Sequence, residues 1–201
     1  VGLDVEADVV ARGLAAADFV PPGWAVEQRL EADLDLDGRG DLLLLLRGPG
    51  PADRSPPRML AIVLAEPAGY RLAASNAVLI PQADLQGQED PLADGELVAL
   101  GGGFDLKLTL ISGQGSYLSA TSRYAFRHRD GCFRLVTYDR LQTHRATLDT
   151  EDRHVDFLDG TVRISRGNAR SDEASVLVEA LAANPRRCFE DLGSAAGFSP
   201  L

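Results

Sequence analysis

The stretch Asp33-Leu34-Asp35-Leu36-Asp37-Gly38-Arg39-Gly40-Asp41, running directly into Leu42-Leu43-Leu44-Leu45-Leu46, decides how the chain is read. Acidic side chains recur at alternate positions, and Gly38 permits a sharp reversal after the third. Calcium is a hard cation that takes six to eight oxygen ligands in a loose shell, and loops of this pattern supply them. Counted from Asp33, the ligands are Asp33, Asp35 and Asp37 at positions 1, 3 and 5. The main-chain carbonyl of Arg39 falls at position 7 and Asp41 at position 9. Four carboxylates held this close repel one another, and a cation relieves that cost. The other outcome is an acidic β-turn that binds nothing.

Position 12, where an EF-hand places a bidentate Glu, is Leu44, and it sits within an apolar run of strand length rather than a helix. The loop therefore reads as a connection between two strands. Trp24 to Ala32 is the strand before it and Asp41 to Arg47 the strand after. Met59 to Glu66 is a second unalternating run. Both runs predict central strands covered on both faces.

Downstream the signals are period two and turn dipeptides, the pattern of an antiparallel β protein. Tyr70 to Ser75 is a strand, and Pro81 to Gly95 reads as a long acidic loop. Glu96 to Ala99 and Phe104 to Ser112 flank Gly101-Gly102-Gly103 as a hairpin. Tyr117 to His128 and Cys132 to Thr143 flank Asp130-Gly131, a type I′ turn signal because both central positions need positive φ. Leu148 to Phe157 and Thr161 to Ser165 flank Asp159-Gly160 likewise. The expected fold is mainly β, an antiparallel meander of about nine strands forming a sandwich or open barrel, with short helices at the N- and C-terminal ends. We expect one domain over 1–201: a helical segment over 1–20, a β domain over 21–166 and a helical tail over 167–201. The tail helix rests on Val176, Leu177, Ala180 and Leu181 at helical spacing.

Composition narrows the function. Apolar residues make up 45% of the 201 residues and the formal charge is −10, with one lysine, Lys107, against nineteen arginines. A polyanion such as nucleic acid is repelled, and no basic stripe offsets this. No apolar stretch is long enough to span a bilayer as a helix. The chain begins at Val1, which is expected either after removal of a signal peptide or in a trimmed chain. Cys132 and Cys188 are an even count, read as one disulfide in an oxidising compartment, with two buried free thiols as the alternative.

The strand–acidic loop–strand unit resembles the calcium loops of integrin α-chain-type (FG-GAP) β-propeller repeats. With Pro22-Gly23-Trp24 before the loop and Phe157-Leu158-Asp159-Gly160-Thr161 closing the meander, the stretch from Phe19 to Ser165 resembles a group of small exported bacterial proteins of unassigned function that carry one such loop. The resemblance implies export and calcium, and it brings no catalytic residue. One copy in a chain of this length does not make a propeller ring.

The expected function is an exported, non-enzymatic, calcium-stabilised β protein, periplasmic or extracellular. It would be a monomeric binding or envelope-associated module whose partner is a protein or small ligand. Two alternatives stay open. A hydrolase would build its site in Pro81–Gly95 or Gly113-Gln114-Gly115-Ser116, gathering Ser116, a histidine and a carboxylate. An inhibitor or receptor for a secreted protein would expose an apolar patch. Arg39-Gly40-Asp41 is read as part of the loop rather than as an integrin-recognition tripeptide. His128, His144 and His154 read as strand histidines, although His144 and His154 could face each other across a hairpin. Asp149, Glu151, Asp152 and Asp156 read as a solvated acidic turn.

Overall fold

The structure is a computed structural model that describes residues 9–111 and 117–200. Its leucine run forms β3 (Asp41–Arg47), which lies between β2 (Ala25–Ala32) and β4 (Arg58–Glu66). β5 (Gly69–Asn76) pairs with β4, and the two-residue β1 (Arg12–Gly13) adds to its outer edge. The result is a five-stranded antiparallel sheet in the order β1-β5-β4-β3-β2.

The second sheet is a plain meander of seven strands: β6 (Glu96–Leu100), β7 (Gly103–Ile111), β8 (Leu118–Arg129), β9 (Cys132–His144), β10 (Asp149–Asp156), β11 (Thr161–Asn168) and β12 (Ala174–Ala180). Asp130 and Gly131 both take positive φ between β8 and β9, as the I′ signal requires.

The unalternating runs are explained by two apolar layers. Leu43, Leu45, Leu60, Ile62 and Leu64 face the second sheet and join Phe104, Leu106, Phe126, Tyr138 and Val155 in the main core. Leu42, Leu44, Leu46, Met59, Ala61 and Val63 face the other way, under Phe19, Val20 and Trp24. The N-terminal segment thus covers the outside of β3 and β4, and the two sheets share one core as a sandwich.

The terminal helices are reduced to single 3-10 turns at Ala16–Phe19, Phe189–Asp191 and Ala195–Gly197. The tail helix expected from the spacing of Val176, Leu177, Ala180 and Leu181 is corrected to strand β12. Its Val176 and Val178 are β-branched, and the open edge of β11 supplies backbone partners that a lone helix would lack. The Cys132–Cys188 disulfide is formed, with Cα atoms 5.8 Å apart. It anchors the last segment, whose Phe189, Leu192 and Ala195 enter the main core. Asn76 receives this segment: its Nδ2 donates to the carbonyls of Phe189 and Leu192, and its Oδ1 accepts from Val78 and Leu79 N–H. Among the described residues, no helix is long and apolar enough to cross a membrane.

Candidate metal centre

The acidic loop joins β2 to β3, so its ends are fixed by a hairpin in the five-stranded sheet. Leu36 and Gly38 both take positive φ, which curls the backbone around its own carboxylates. One carboxylate oxygen from each of Asp33, Asp35 and Asp37 lies within 4.8 Å of the others. Backbone N–H groups of the loop hold these carboxylates in place. Asp37 N–H donates to Asp33 Oδ1 at 3.0 Å and Gly38 N–H to Asp33 Oδ2 at 3.0 Å. Asp37 N–H also reaches Asp35 Oδ1, and Arg39 N–H reaches Asp37 Oδ1. A carboxylate oxygen that accepts one N–H keeps lone-pair capacity for a cation. The donor set is all oxygen and anionic, which fits a hard cation such as calcium and not a soft metal.

The Arg39 side chain, as distinct from the main-chain carbonyl that the loop pattern assigns, and the Asp41 carboxylate both make contacts of their own. The Arg39 guanidinium donates to Asp37 Oδ2 at 2.6 Å, at the exposed side of the loop. Asp41 is fully buried and its carboxylate stands apart from the cluster of three. Its Oδ2 accepts from Leu34 N–H and its Oδ1 from Ala65 N–H, both at 2.8 Å. Asp41 therefore ties the start of the loop to the end of β4. Burial raises its pKa, the two backbone donors oppose the rise, and the negative charges of Asp35 and Asp37 add to it. The charge of the acidic cluster is thus felt at this buried carboxylate.

One contact had no signal in the sequence. The Gly102 N–H, in the turn between β6 and β7, donates to the Asp33 carbonyl at 2.8 Å, and the Gly102 carbonyl accepts from His128 N–H. Leu36 lies over this turn, close enough that a Cβ on Gly102 would meet its side chain at 3.3 Å. The loop is consequently fastened to the seven-stranded sheet as well as to its own hairpin.

The remaining candidates are dispersed. His154 pairs with Asp139 on the outer face of the second sheet, while His144 lies at the end of β9 beside Tyr117. Their registers, His154 opposite Asp139 and His144 opposite Leu118, set them apart, so they do not face each other. The acidic turn is also partly accounted for: Asp149 and Glu151 have pKa values below the ordinary range. For Asp149 the cause is hydrogen bonding from Thr147 and Asn168. For Glu151 burial works against the shift, and Arg166 and Arg153 outweigh it. Thr147 Oγ1 lies 2.6 Å from Asp149 Oδ2 and 3.0 Å from His144 Nδ1. A catalytic relay needs the base on the nucleophile and the acid on the base. Here the carboxylate takes the hydroxyl, and Thr147 N–H donates to the imidazole, which is the bonding of a tight turn. The Gly113–Ser116 reading lies outside the described residues.

Arg58 belongs to no motif, and nothing in the sequence marks its role. It is buried in β4 and carries two bidentate carboxylates, Glu27 at 2.7 and 2.9 Å and Asp90 at 2.7 and 2.9 Å. These ion pairs fasten the 81–95 connection and the edge strand β2 to the middle of the sheet. Comparison with known proteins adds no assignment: no family model matches the chain, and neither does any curated protein or solved structure.

Proposed function

We propose that this chain is an exported β-sandwich module that works by binding rather than catalysis, and that calcium in the Asp33–Asp37 loop stabilises it. The observation that carries the reading is the double anchorage of that loop, with three carboxylates converging while Asp33 holds Gly102 of the opposite sheet. An ion there neutralises the cluster and stiffens the junction between the sheets. The disulfide supports a periplasmic or extracellular setting, since such bonds persist in oxidising compartments. The resemblance to small exported bacterial proteins with one FG-GAP-type loop points the same way.

The test is a thermal melt of chelator-treated protein with and without calcium, repeated on Asp35→Ala. A site of the extracellular class, with Kd of about 0.1–1 mM, gives roughly 1.4–2.7 kcal/mol at ten to one hundred times Kd. In a domain of this size that is a rise of about 3–10 °C in Tm. Asp35→Ala should abolish the rise. A wild-type midpoint indifferent to calcium refutes the structural ion.

A further inference from the structure

We propose that a second site, at the open end of the sandwich, binds a small apolar carboxylate through Arg140. This gives the binding-module reading a ligand class, and it stands independently of the metal in the acidic loop.

Strands β8 to β11 carry an inward face that changes character along its length. Tyr124 and Tyr138 lie opposite each other and are buried in the core. One step further the row is Ser122, Arg140 and Arg153. The next is Ala120, Gln142 and Glu151. At Arg140 the facing sheet gives way to the 81–91 connection, and a cavity of about 220 Å³ opens between that connection and the strands. Leu110, Leu118 and Ala120 form its apolar wall, and Arg140 and Gln142 supply its polar groups on the strand side.

The charge arrangement singles out Arg140. Arg153 pairs with Glu151, which also takes Arg166. Arg140 donates only to the neutral Gln142 Oε1, at 2.9 Å, and among the described residues no carboxylate pairs with it. It also stands directly opposite Arg153, and like charges directly opposite on neighbouring strands are destabilising. A half-buried guanidinium that faces another cation and an apolar wall is an unmet demand for a carboxylate, in a chain whose formal charge is −10. Gln82 and Gln88 add amide groups from the connection, and Glu89 at the rim sets a negative charge against highly charged anions. The combination suits one carboxylate on an aliphatic body, of the size of an aliphatic amino acid.

Isothermal titration of the intact protein with N-acetyl-leucine, N-acetyl-leucinamide and inorganic phosphate tests this, in calcium and again in chelator. The acid should bind about tenfold or more tighter than the amide or phosphate, the value of one charge-assisted hydrogen bond. Arg140→Gln should erase that difference while its melt stays cooperative, because the variant also relieves the Arg140–Arg153 repulsion. Equal affinity for acid and amide, phosphate binding as well as the acid, or no saturation below about 10 mM each overturns the site. Should Arg140→Gln fail to fold, Glu89→Gln on the exposed rim decides. It should tighten the acid and leave the amide unchanged, and an equal effect on both overturns the proposal. Failure in either arm leaves the calcium melt unaffected.

Discussion

Asp41 illustrates how one residue can satisfy a spacing pattern and also carry a structural duty. Its carboxylate accepts from the N–H groups of Leu34 and Ala65, so Asp41→Ala leaves one buried and one half-buried donor without that partner. Chemical denaturation should record a loss of about 2–4 kcal/mol in calcium-free buffer, where any metal contribution is absent. A loss confined to calcium-containing buffer would instead make Asp41 a ligand and nothing more. Arg58 argues the converse, a residue with no motif that organises a region. Burial pushes the Asp90 carboxyl up, but the Arg58 guanidinium and the Leu92 N–H outweigh it and hold the pKa below the ordinary 3.8. A carboxylate with a depressed folded pKa stabilises fully above its unfolded value and loses that contribution as pH falls through the folded one. Asp90→Asn should therefore cost about 2 kcal/mol at neutral pH, with the gap to wild type closing below pH 3.8. A gap constant from neutrality to acid would show that the ion pair does not contribute.

At the scale of elements, legibility followed the number of faces buried. β3 and β4 are sandwiched between two apolar layers, so Leu42–Leu46 and Met59–Ala65 announced them without alternation. The hairpins β8–β9 and β10–β11 were marked by Asp130-Gly131 and Asp159-Gly160, but in the second pair only Gly160 takes positive φ, so that turn is not the expected type I′. β12 is exposed along its whole length, so no buried face imposes a period on its sequence, and the spacing of Val176, Leu177, Ala180 and Leu181 was open to a helical reading. What fixes it as a strand is the free edge of β11, a tertiary fact absent from the local residues. The turn at Gly101-Gly102-Gly103 was legible as a turn but not as the anchor of the acidic loop, because the hydrogen bond to Asp33 spans about a third of the chain. Its third glycine is the stringent one. A Cβ at Gly103 would lie 2.0 Å from the Phe126 carbonyl oxygen, a backbone atom that cannot step aside. Gly103→Ala should cost about 3 kcal/mol by thermal or chemical denaturation, and a wild-type midpoint would contradict the close approach of β7 to β8.

For the whole molecule, the decisive question is what makes the last segment part of the sandwich. Phe189 stacks edge-on against Phe104 and Phe126, at 5.4 and 5.3 Å, in the middle of the core shared by both sheets. Leu135 N–H donates to the Arg187 carbonyl, Asn76 holds the carbonyls of Phe189 and Leu192, and Arg187 lies over Phe157. The disulfide closes this arrangement across a separation of 56 residues. In the chain-entropy model a loop of that length stabilises by roughly 4 kcal/mol, so a Cys132→Ser, Cys188→Ser double variant should melt about 8–16 °C lower. Because the segment also fills the core, its loss should be felt by both sheets at once. Far-ultraviolet dichroism and near-ultraviolet tyrosine signals should then report a single coincident transition in the variant, as in the wild type. Two separated transitions would instead mean that the five-stranded and seven-stranded sheets fold apart, held together by the cross-link rather than by the core they share.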